Sequence, residues 1–206
     1  GTNALPYCPS AQSLDYYLYT GSSTTGDPGY QIDLLSIAGY KNDINLWTSK
    51  EAASAAAGHP YEVTSYEGGN GSDNPNSSGN GDDSLAAAVG QLDVYLYAQQ
   101  QGMTALNFFG YRLGSALYTS HTQFVAGYIP HPVWEALSMR NQYCSGDIVS
   151  TDTNAAQLST DGSNTPLIGV YTFHDTVANK ADIVVISRDL NNSTPVTWHL
   201  PTTSTG

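Results

Sequence analysis

A short segment, residues 61–67, is rich in β-branched and aromatic side chains and lies between two segments with helical features. Its length and composition predict a β-strand, which ends at the glycine pair Gly68 and Gly69. Residues 51–57 before it are rich in alanine, and apolar residues recur at helical spacing over residues 84–101 after it. A strand between two helices favours a fold built from βα units with parallel strands.

The ends of these helices follow from residues that begin or stop helical structure. Ser49 is predicted to be the N-cap of the alanine-rich helix, and the Gly-His-Pro sequence of residues 58–60 ends it. Gly102 ends the second helix. Residues 30–49 carry further apolar positions, which Gly39 is expected to interrupt.

The remaining predicted elements change character along the chain. One more helix is predicted at residues 132–141. Further strands are predicted at residues 14–19, 104–111, 167–173, 183–187 and 194–200. The expected fold class is therefore α/β, with a (β/α) region at residues 1–145 and an antiparallel, β-rich region at residues 146–206. The polar, turn-rich residues 146–164 supply the boundary.

The charge balance disfavours two kinds of partner. The chain of 206 residues has 6 basic and 18 acidic residues, and its formal net charge is -12. Because nucleic-acid binding needs cationic side chains that displace counterions from phosphates, we expect no nucleic-acid partner, and the same count disfavours anionic membranes. No apolar run reaches the roughly 18 residues that a membrane-spanning helix needs.

The composition is common among secreted proteins. Charged residues make up 12% of the chain, and Ser, Thr, Asn, Gln and Gly supply most of its polarity. We therefore expect an extracellular protein, and the given chain would be its mature form because no signal peptide is visible. The sequence has no phosphate-binding Gly-Lys-Ser/Thr loop and no histidines at metal-ligand spacing, so no cofactor and no metal are predicted.

An extracellular location would permit a disulfide and, in a eukaryotic or archaeal host, N-glycosylation. Cys8 and Cys144 match no metal motif, and they form either one disulfide or two separate buried thiols. Acceptor sequences for N-glycosylation occur at Asn70, Asn76, Asn191 and Asn192.

Glu67 is the strongest candidate for a catalytic residue. It lies at the carboxyl end of the predicted strand and is followed by two glycines. In parallel α/β proteins the carboxyl ends of the strands form the reaction face. From this local pattern alone, Glu67 is either a nucleophile or base, or a solvated residue at a strand end.

The sequence Val-Thr-Ser-Tyr-Glu-Gly-Gly of residues 63–69 resembles the seventh strand of retaining, clan-A-type (β/α)8 glycoside hydrolases. The following order is also similar: a helix, a strand, a loop with Ser120 and His121, and a Pro-Val-Trp helix start at residues 132–134. The last strands resemble the β-sandwich side domain of these enzymes. The resemblance implies the last βα units of a TIM-type barrel, followed by antiparallel strands of a small side domain.

The resemblance also implies a site. In this family the Glu at the end of the seventh strand attacks the anomeric carbon, so Glu67 is expected to be the nucleophile and carbohydrate the substrate. Tyr66, Asn107, Tyr111 and His121 are expected to contact the sugar, since aromatic faces stack on the apolar faces of sugar rings.

The chain departs from the family pattern in its length and in its second carboxylate. A full barrel takes about 250 residues, so this chain corresponds to the last three βα units. A retaining mechanism needs two carboxyl groups about 5–5.5 Å apart, and the family's acid/base Glu follows an Asn, a pair that this sequence lacks. Glu62 is roughly 16 Å from Glu67 along the same predicted strand, and Glu51 and Glu135 lie on predicted helices. The acid/base residue is therefore expected in the N-terminal remainder of the same enzyme.

A second hypothesis is a non-catalytic extracellular protein, either a self-associating surface-layer or filament subunit or a carbohydrate-binding protein. Its low charge and its many Tyr, Thr, Ser, Asn and Gly residues suit this class. This hypothesis requires no second carboxylate, and its subunit form predicts a large, repeated interface between copies.

Overall fold

The computed structural model describes residues 37–68, 85–108, 130–151, 166, 168–187 and 195–197. The described residues form α1 (Ile37–Ala56), β1 (Thr64–Gly68), α2 (Leu85–Gln100), β2 (Ala105–Phe108), α3 (Pro132–Tyr143), β3 (Asp147–Val149), β4 (Ile168–Asp175) and β5 (Lys180–Ser187). The predicted α/β class is confirmed as a mixture of helices with a two-stranded and a three-stranded sheet. Within the described residues these sheets do not close into a barrel.

The two-stranded sheet is parallel, and α2 connects its strands. A parallel pair needs a crossover of a dozen residues or more, which α2 and its flanking segments supply. Ser65 lies opposite Leu106, but Gly68 lies opposite Phe108, so β1 has one residue more than β2 between these two pairs. This shift in register has the form of a β-bulge, and it falls on Tyr66 and Glu67.

The three-stranded sheet has the order β3-β4-β5, and both of its pairings are antiparallel, as expected for the end of the chain. The β4–β5 hairpin turns at residues 176–179, where Asn179 takes a positive φ of 49°. The Asp175 carboxylate stabilises this turn, because its Oδ1 accepts hydrogen bonds from the N–H groups of Val177 and Ala178 at 3.0 and 2.9 Å.

Two features of the C-terminal region differ from the expected elements. β3 lies within residues 146–164, where the composition indicates a polar boundary; it forms because its backbone pairs with β4. Residues 195–197, inside the strand predicted at residues 194–200, belong to no strand.

α1 is one continuous helix, so the interruption predicted at Gly39 and the N-cap predicted at Ser49 are wrong. The Ser49 hydroxyl donates a hydrogen bond back to the Leu46 carbonyl oxygen at 2.8 Å, and so it bonds within the helix rather than capping a new one. The predicted stop is confirmed, since α1 ends at Ala56 and Gly58 follows with a φ of 85°.

The core surrounds α2, which is apolar on more than one side, as expected for a helix buried within a domain. One cluster joins α2 to α1 and contains Ile44, Val94, Ala98 and Met103. The second joins α2 to the three-stranded sheet and contains Leu92, Leu96, Tyr171, Phe173 and Ile186. The second cluster contains residues from both predicted regions, residues 1–145 and residues 146–206. The division of the chain at residue 145 stays a prediction.

A buried polar network crosses this core. Asp93 on α2 is fully buried, its carboxylate lies 2.6 Å from Lys41 Nζ on α1, and it accepts a hydrogen bond from the Tyr171 hydroxyl on β4. The Lys41 ammonium also lies 4.9 Å from the centroid of the Tyr97 ring. The network therefore ties α1, α2 and β4 together through one carboxylate.

Gly146 is required where the chain passes from α3 into β3. Its φ is 81°, and a Cβ there would overlap the His174 carbonyl oxygen and lie 2.5 Å from the backbone nitrogen of Asp175. We expect Gly146→Ala to lower the free energy of unfolding by more than about 2 kcal/mol, measured by urea denaturation, because backbone strain and overpacking each cost about 1–3 kcal/mol. Gly58→Ala is the matched control, since its φ is 85° but nothing lies within 4 Å of the added Cβ. An equal loss of unfolding free energy in Gly146→Ala and Gly58→Ala would contradict the argument that the added Cβ of residue 146 clashes with β4.

Candidate functional site

The parallel sheet brings Glu67 to the shared carboxyl edge of β1 and β2. Gly68, the last residue of β1, lies opposite Phe108, the last residue of β2, so both strands end at this edge. Glu67 immediately precedes Gly68 and falls in the irregular part of the register. Residues 69–84 and 109–129, which continue from this edge, lie outside the described residues.

Tyr66 and Asn107 are the two predicted sugar-contacting residues whose side chains the structure describes. The Tyr66 side chain is 89% exposed, so its ring faces are open to a ligand. Asn107 Nδ2 donates a hydrogen bond to the Ser65 carbonyl oxygen at 3.0 Å. Because a bulge disrupts the regular ladder of hydrogen bonds, this contact supports β1 at the residue just before the irregular segment.

The other predicted site residues lie outside the described part of the chain, and their roles stay predictions. They are Tyr111, His121, Asn70, Asn76, Asn191, Asn192 and Cys8. Cys144 is described: it follows α3 and is half-buried, and its burial, reinforced by the nearby Asp182 carboxylate, raises the pKa of its thiol. The Cys8–Cys144 disulfide stays a prediction.

The remaining described glutamates lie away from the carboxyl edge of the sheet. Glu62 precedes β1 and accepts a hydrogen bond from the hydroxyl of Thr104, which precedes β2, so this contact is at the opposite, amino edge. Glu51 lies on α1 and Glu135 lies in the first turn of α3. Asp73, Asp82 and Asp83, which follow Glu67 in the sequence, lie outside the described residues.

Trp134 and Trp47 are both partly exposed. Trp134, in the first turn of α3, is 40% exposed, whereas Leu137, one turn further along the helix, packs against the core. Trp47 on α1 is 37% exposed and borders an apolar cleft between α1 and β1. Its helical position gives no signal for this, because most of the cleft lining comes from residues 61–65, which lie beyond the end of α1.

The described residues contain neither a candidate metal cluster nor a candidate membrane-spanning helix. Among these residues, no group of three His, Cys, Asp or Glu side chains is arranged to hold a metal ion. No described helix is both long enough and apolar enough to cross a bilayer.

Comparisons with protein-family models, with curated proteins and with solved structures find no match to this chain.

Proposed function

We propose that this chain is the C-terminal portion of a secreted retaining glycoside hydrolase and that Glu67 is its catalytic nucleophile. In this proposal β1 and β2 are the last strands of a (β/α)8 barrel, and β3, β4 and β5 begin a β-rich side domain. The acid/base carboxylate comes from the N-terminal remainder of the same enzyme. The substrate is an extracellular polysaccharide or oligosaccharide.

The observation that carries this proposal is the irregular register of β1 at Tyr66 and Glu67. Parallel α/β folds bind substrates at the carboxyl edge of the sheet, and bulges next to active sites redirect side chains there. Glu67 combines both features, and Gly68 and Gly69 follow it with no side chain to obstruct an approaching substrate.

The chemistry assigned to Glu67 needs its ionised carboxylate. One carboxylate oxygen attacks the anomeric carbon, and the bond from that carbon to the leaving oxygen breaks as the acid/base group protonates that oxygen. The resulting glycosyl ester is hydrolysed by a water molecule that the acid/base group then deprotonates. The anomeric configuration is inverted twice and hence retained.

Tyr66 and Asn107 have different parts in this proposal. The exposed Tyr66 ring supplies an apolar face on which a sugar can stack. Asn107 acts as a positioning residue, because its amide already bonds the Ser65 carbonyl oxygen and so stabilises the strand beside the bulge. Tyr111 and His121 complete the proposed sugar-contacting set.

The proposal predicts covalent labelling of Glu67 in the complete protein. A 2,4-dinitrophenyl 2-deoxy-2-fluoroglycoside carries a leaving group that needs no acid, while its fluorine slows hydrolysis of the ester. We expect one of the glucosyl, galactosyl, mannosyl and xylosyl probes to add one sugar mass to the protein, with the label on the peptide that contains Glu67. Intact-mass and peptide mass spectrometry measure this.

Two controls sharpen the labelling experiment. Glu62→Gln removes a nearby carboxylate at the opposite edge of the sheet and should leave labelling unchanged, whereas Glu67→Gln should abolish it. A label on a different carboxylate would overturn the assignment of Glu67. A protein that is labelled by no probe, cleaves no saccharide and forms homopolymers would favour the structural hypothesis instead.

A further inference from the structure

A groove between α1 and the segment that leads into β1 is the most informative surface outside the candidate site. Its first part is the apolar cleft beside Trp47, which has a volume of about 200 Å³. Its second part is a cleft of about 580 Å³ that extends along α1 to Gly102, beyond the end of α2. Tyr61 lines both clefts, so the two adjoin each other. The second cleft alone is as large as many small-molecule sites, which measure about 300–1,000 Å³.

Short side chains on α1 keep the second cleft open. Ala52 and Ala55 lie three residues apart and therefore on the same side of the helix, and both line the cleft. Both are exposed, and their side chains end at Cβ, so they leave space between α1 and Pro60. These alanines thus favour the helix and also form the floor of the groove.

Two aromatic and three charged side chains line the groove. Trp47 is 37% and Tyr61 46% exposed, so part of each ring is open to a ligand. Lys50 lines the first cleft, and Glu51 and Glu62 line the second. A carboxylate has about four acceptor sites, so Glu62 can bond a ligand in addition to the hydrogen bond that it already accepts.

The charges of the groove favour a neutral ligand with many hydroxyl groups. Glu51 and Glu62, in a protein whose formal net charge is -12, repel anions such as phosphates and fatty acids. Lys50 repels a cation from the first cleft, and a wholly apolar ligand would desolvate the carboxylates without bonding them. Sugar hydroxyls donate hydrogen bonds to carboxylates and accept them from an ammonium group, and the C–H faces of sugar rings stack on aromatic faces.

We propose that the groove binds a neutral oligosaccharide, with one sugar ring stacked on Trp47 and another on Tyr61. Because Tyr61 borders both clefts, a chain of sugar rings can continue from the first cleft into the second. The second cleft includes Glu62, at the amino edge of the parallel sheet, whereas Glu67 lies near the carboxyl edge. Binding in the groove therefore does not need the nucleophile, and it anchors the protein on a polysaccharide.

An NMR titration of the chain is the first test, with the indole N–H signal of Trp47 identified by its loss in Trp47→Phe. The neutral probes are cellohexaose, xylohexaose, mannohexaose, laminarihexaose and maltohexaose. We expect at least one of them to shift this signal saturably, with a Kd below about 1 mM. The absence of a saturable shift with every neutral probe at about 10 mM would overturn the proposal. Hexagalacturonate, which is anionic, should bind at least about tenfold more weakly, and equal or tighter binding would contradict the assignment of a neutral ligand.

Filling the groove is the second test, because it removes no group that could bond a ligand. We expect Ala55→Phe to weaken binding of the best probe at least about tenfold, measured by isothermal titration calorimetry, since the new ring occupies the second cleft. Ala53→Phe is the matched control, because Ala53 is also exposed on α1 but lies outside the lining of both clefts. Equal affinities of the two variants would contradict the proposal.

Removing the aromatic rings is the third test. We expect Trp47→Ala and Tyr61→Ala each to weaken binding at least about tenfold, since aromatic side chains usually contribute most to such contacts. Trp134→Ala removes a tryptophan that is 40% exposed on α3, and it should change the Kd by less than about twofold.

Tyr66→Ala distinguishes the groove from the candidate site at Glu67. We expect this variant to bind the probe as the unsubstituted chain does. Loss of binding in Tyr66→Ala but not in Trp47→Ala would place the saccharide at the carboxyl edge and overturn the proposal. None of these measurements uses turnover, so their outcome is independent of the nucleophile assigned to Glu67.

Discussion

Glu67→Gln in the complete protein is expected to lower kcat for saccharide hydrolysis by about 1,000-fold or more, the scale of loss when a covalent nucleophile is removed. Gln has nearly the shape of Glu, but its amide cannot form the glycosyl ester that the proposed mechanism requires. The rate of reducing-sugar release at saturating substrate measures this effect. The midpoint of thermal unfolding should stay within a few degrees of that of the unsubstituted protein.

Glu62→Gln is the matched control for this substitution. Glu62 lies just before β1, and within the described part of the chain its carboxylate accepts a hydrogen bond from the exposed Thr104 hydroxyl at 3.4 Å. We expect the kcat of Glu62→Gln to remain within about twofold of the unsubstituted value, because Glu62 lies at the amino edge of the sheet, away from the proposed site. Its stability should also be nearly unchanged, since surface substitutions usually change stability by less than about 0.5 kcal/mol. Turnover by Glu67→Gln at a rate near that of Glu62→Gln would refute the role of Glu67.

A smaller substitution separates a nucleophile from an acid/base residue. Glu67→Gly leaves room for azide, which can attack the anomeric carbon in place of the carboxylate. Because only one displacement then occurs, the glycosyl azide product should have the inverted configuration. A product of retained configuration would show that Glu67 acts as the acid/base group.

Asp93→Ala is expected to have the largest effect on stability, lowering the free energy of unfolding by about 3–5 kcal/mol. Asp93 is fully buried, and the substitution removes the carboxylate that pairs with the Lys41 ammonium and accepts the shorter hydrogen bond of the Tyr171 hydroxyl; the 3.4 Å contact of that hydroxyl with the backbone carbonyl oxygen of residue 93 remains. The Lys41 ammonium and the Tyr171 hydroxyl would then be poorly solvated and would lack their contact with the Asp93 carboxylate. Urea unfolding followed by circular dichroism measures the loss.

Two further variants test whether the loss comes from the buried charge. Asp43→Asn removes an exposed carboxylate of α1 and is expected to change the free energy of unfolding by less than about 0.5 kcal/mol. Replacing all three polar groups together (Asp93→Leu, Lys41→Met and Tyr171→Phe) should recover at least about 2 kcal/mol relative to Asp93→Ala, since the ammonium and the hydroxyl that contact the carboxylate are removed with it. A loss below about 1 kcal/mol in Asp93→Ala would show that the network contributes little.

Several elements of the fold follow from local signals in the sequence. Gly58 and Gly102 end α1 and α2, and both have positive φ angles, which explains why glycine occupies these positions. α3 begins at Pro132, where the fixed φ of proline suits the first turn of a helix. These features depend on residues adjacent in the chain, so one sequence suffices to predict them.

Other features depended on contacts that no local signal reports. α1 passes through Gly39 and Ser49 because packing of Ile44 against Val94 and Ala98 on α2 stabilises it as one helix. β3 is three residues long and forms through pairing with β4. Its composition alone carries too little signal to distinguish it from a loop.

The candidate site also has some features that the sequence predicts and others that only the folded structure reveals. The strand that ends at Glu67 and the two glycines after it are visible in the sequence, and so is the order of elements that predicts parallel pairing. The bulge at Tyr66 and Glu67 is visible only in the register between β1 and β2, because it depends on which residues of the two strands lie opposite each other. Asn107 is assigned a positioning role for the same reason, since its bond to Ser65 crosses from one strand to the other.

The sequence by itself determined the acidic character of this protein, its α/β class, the C-terminal ends of α1 and α2 and the position of Glu67 near the carboxyl end of a strand. All of these depend on composition or on residues close together in the chain. The tertiary structure alone decided that Asp93 is a buried ion-pair partner, that Trp47 borders a cleft and that β1 is irregular at Glu67. Burial, charge pairing and strand register arise from residues far apart in sequence, such as Asp93 and Tyr171, whose contact exists only once the chain has folded.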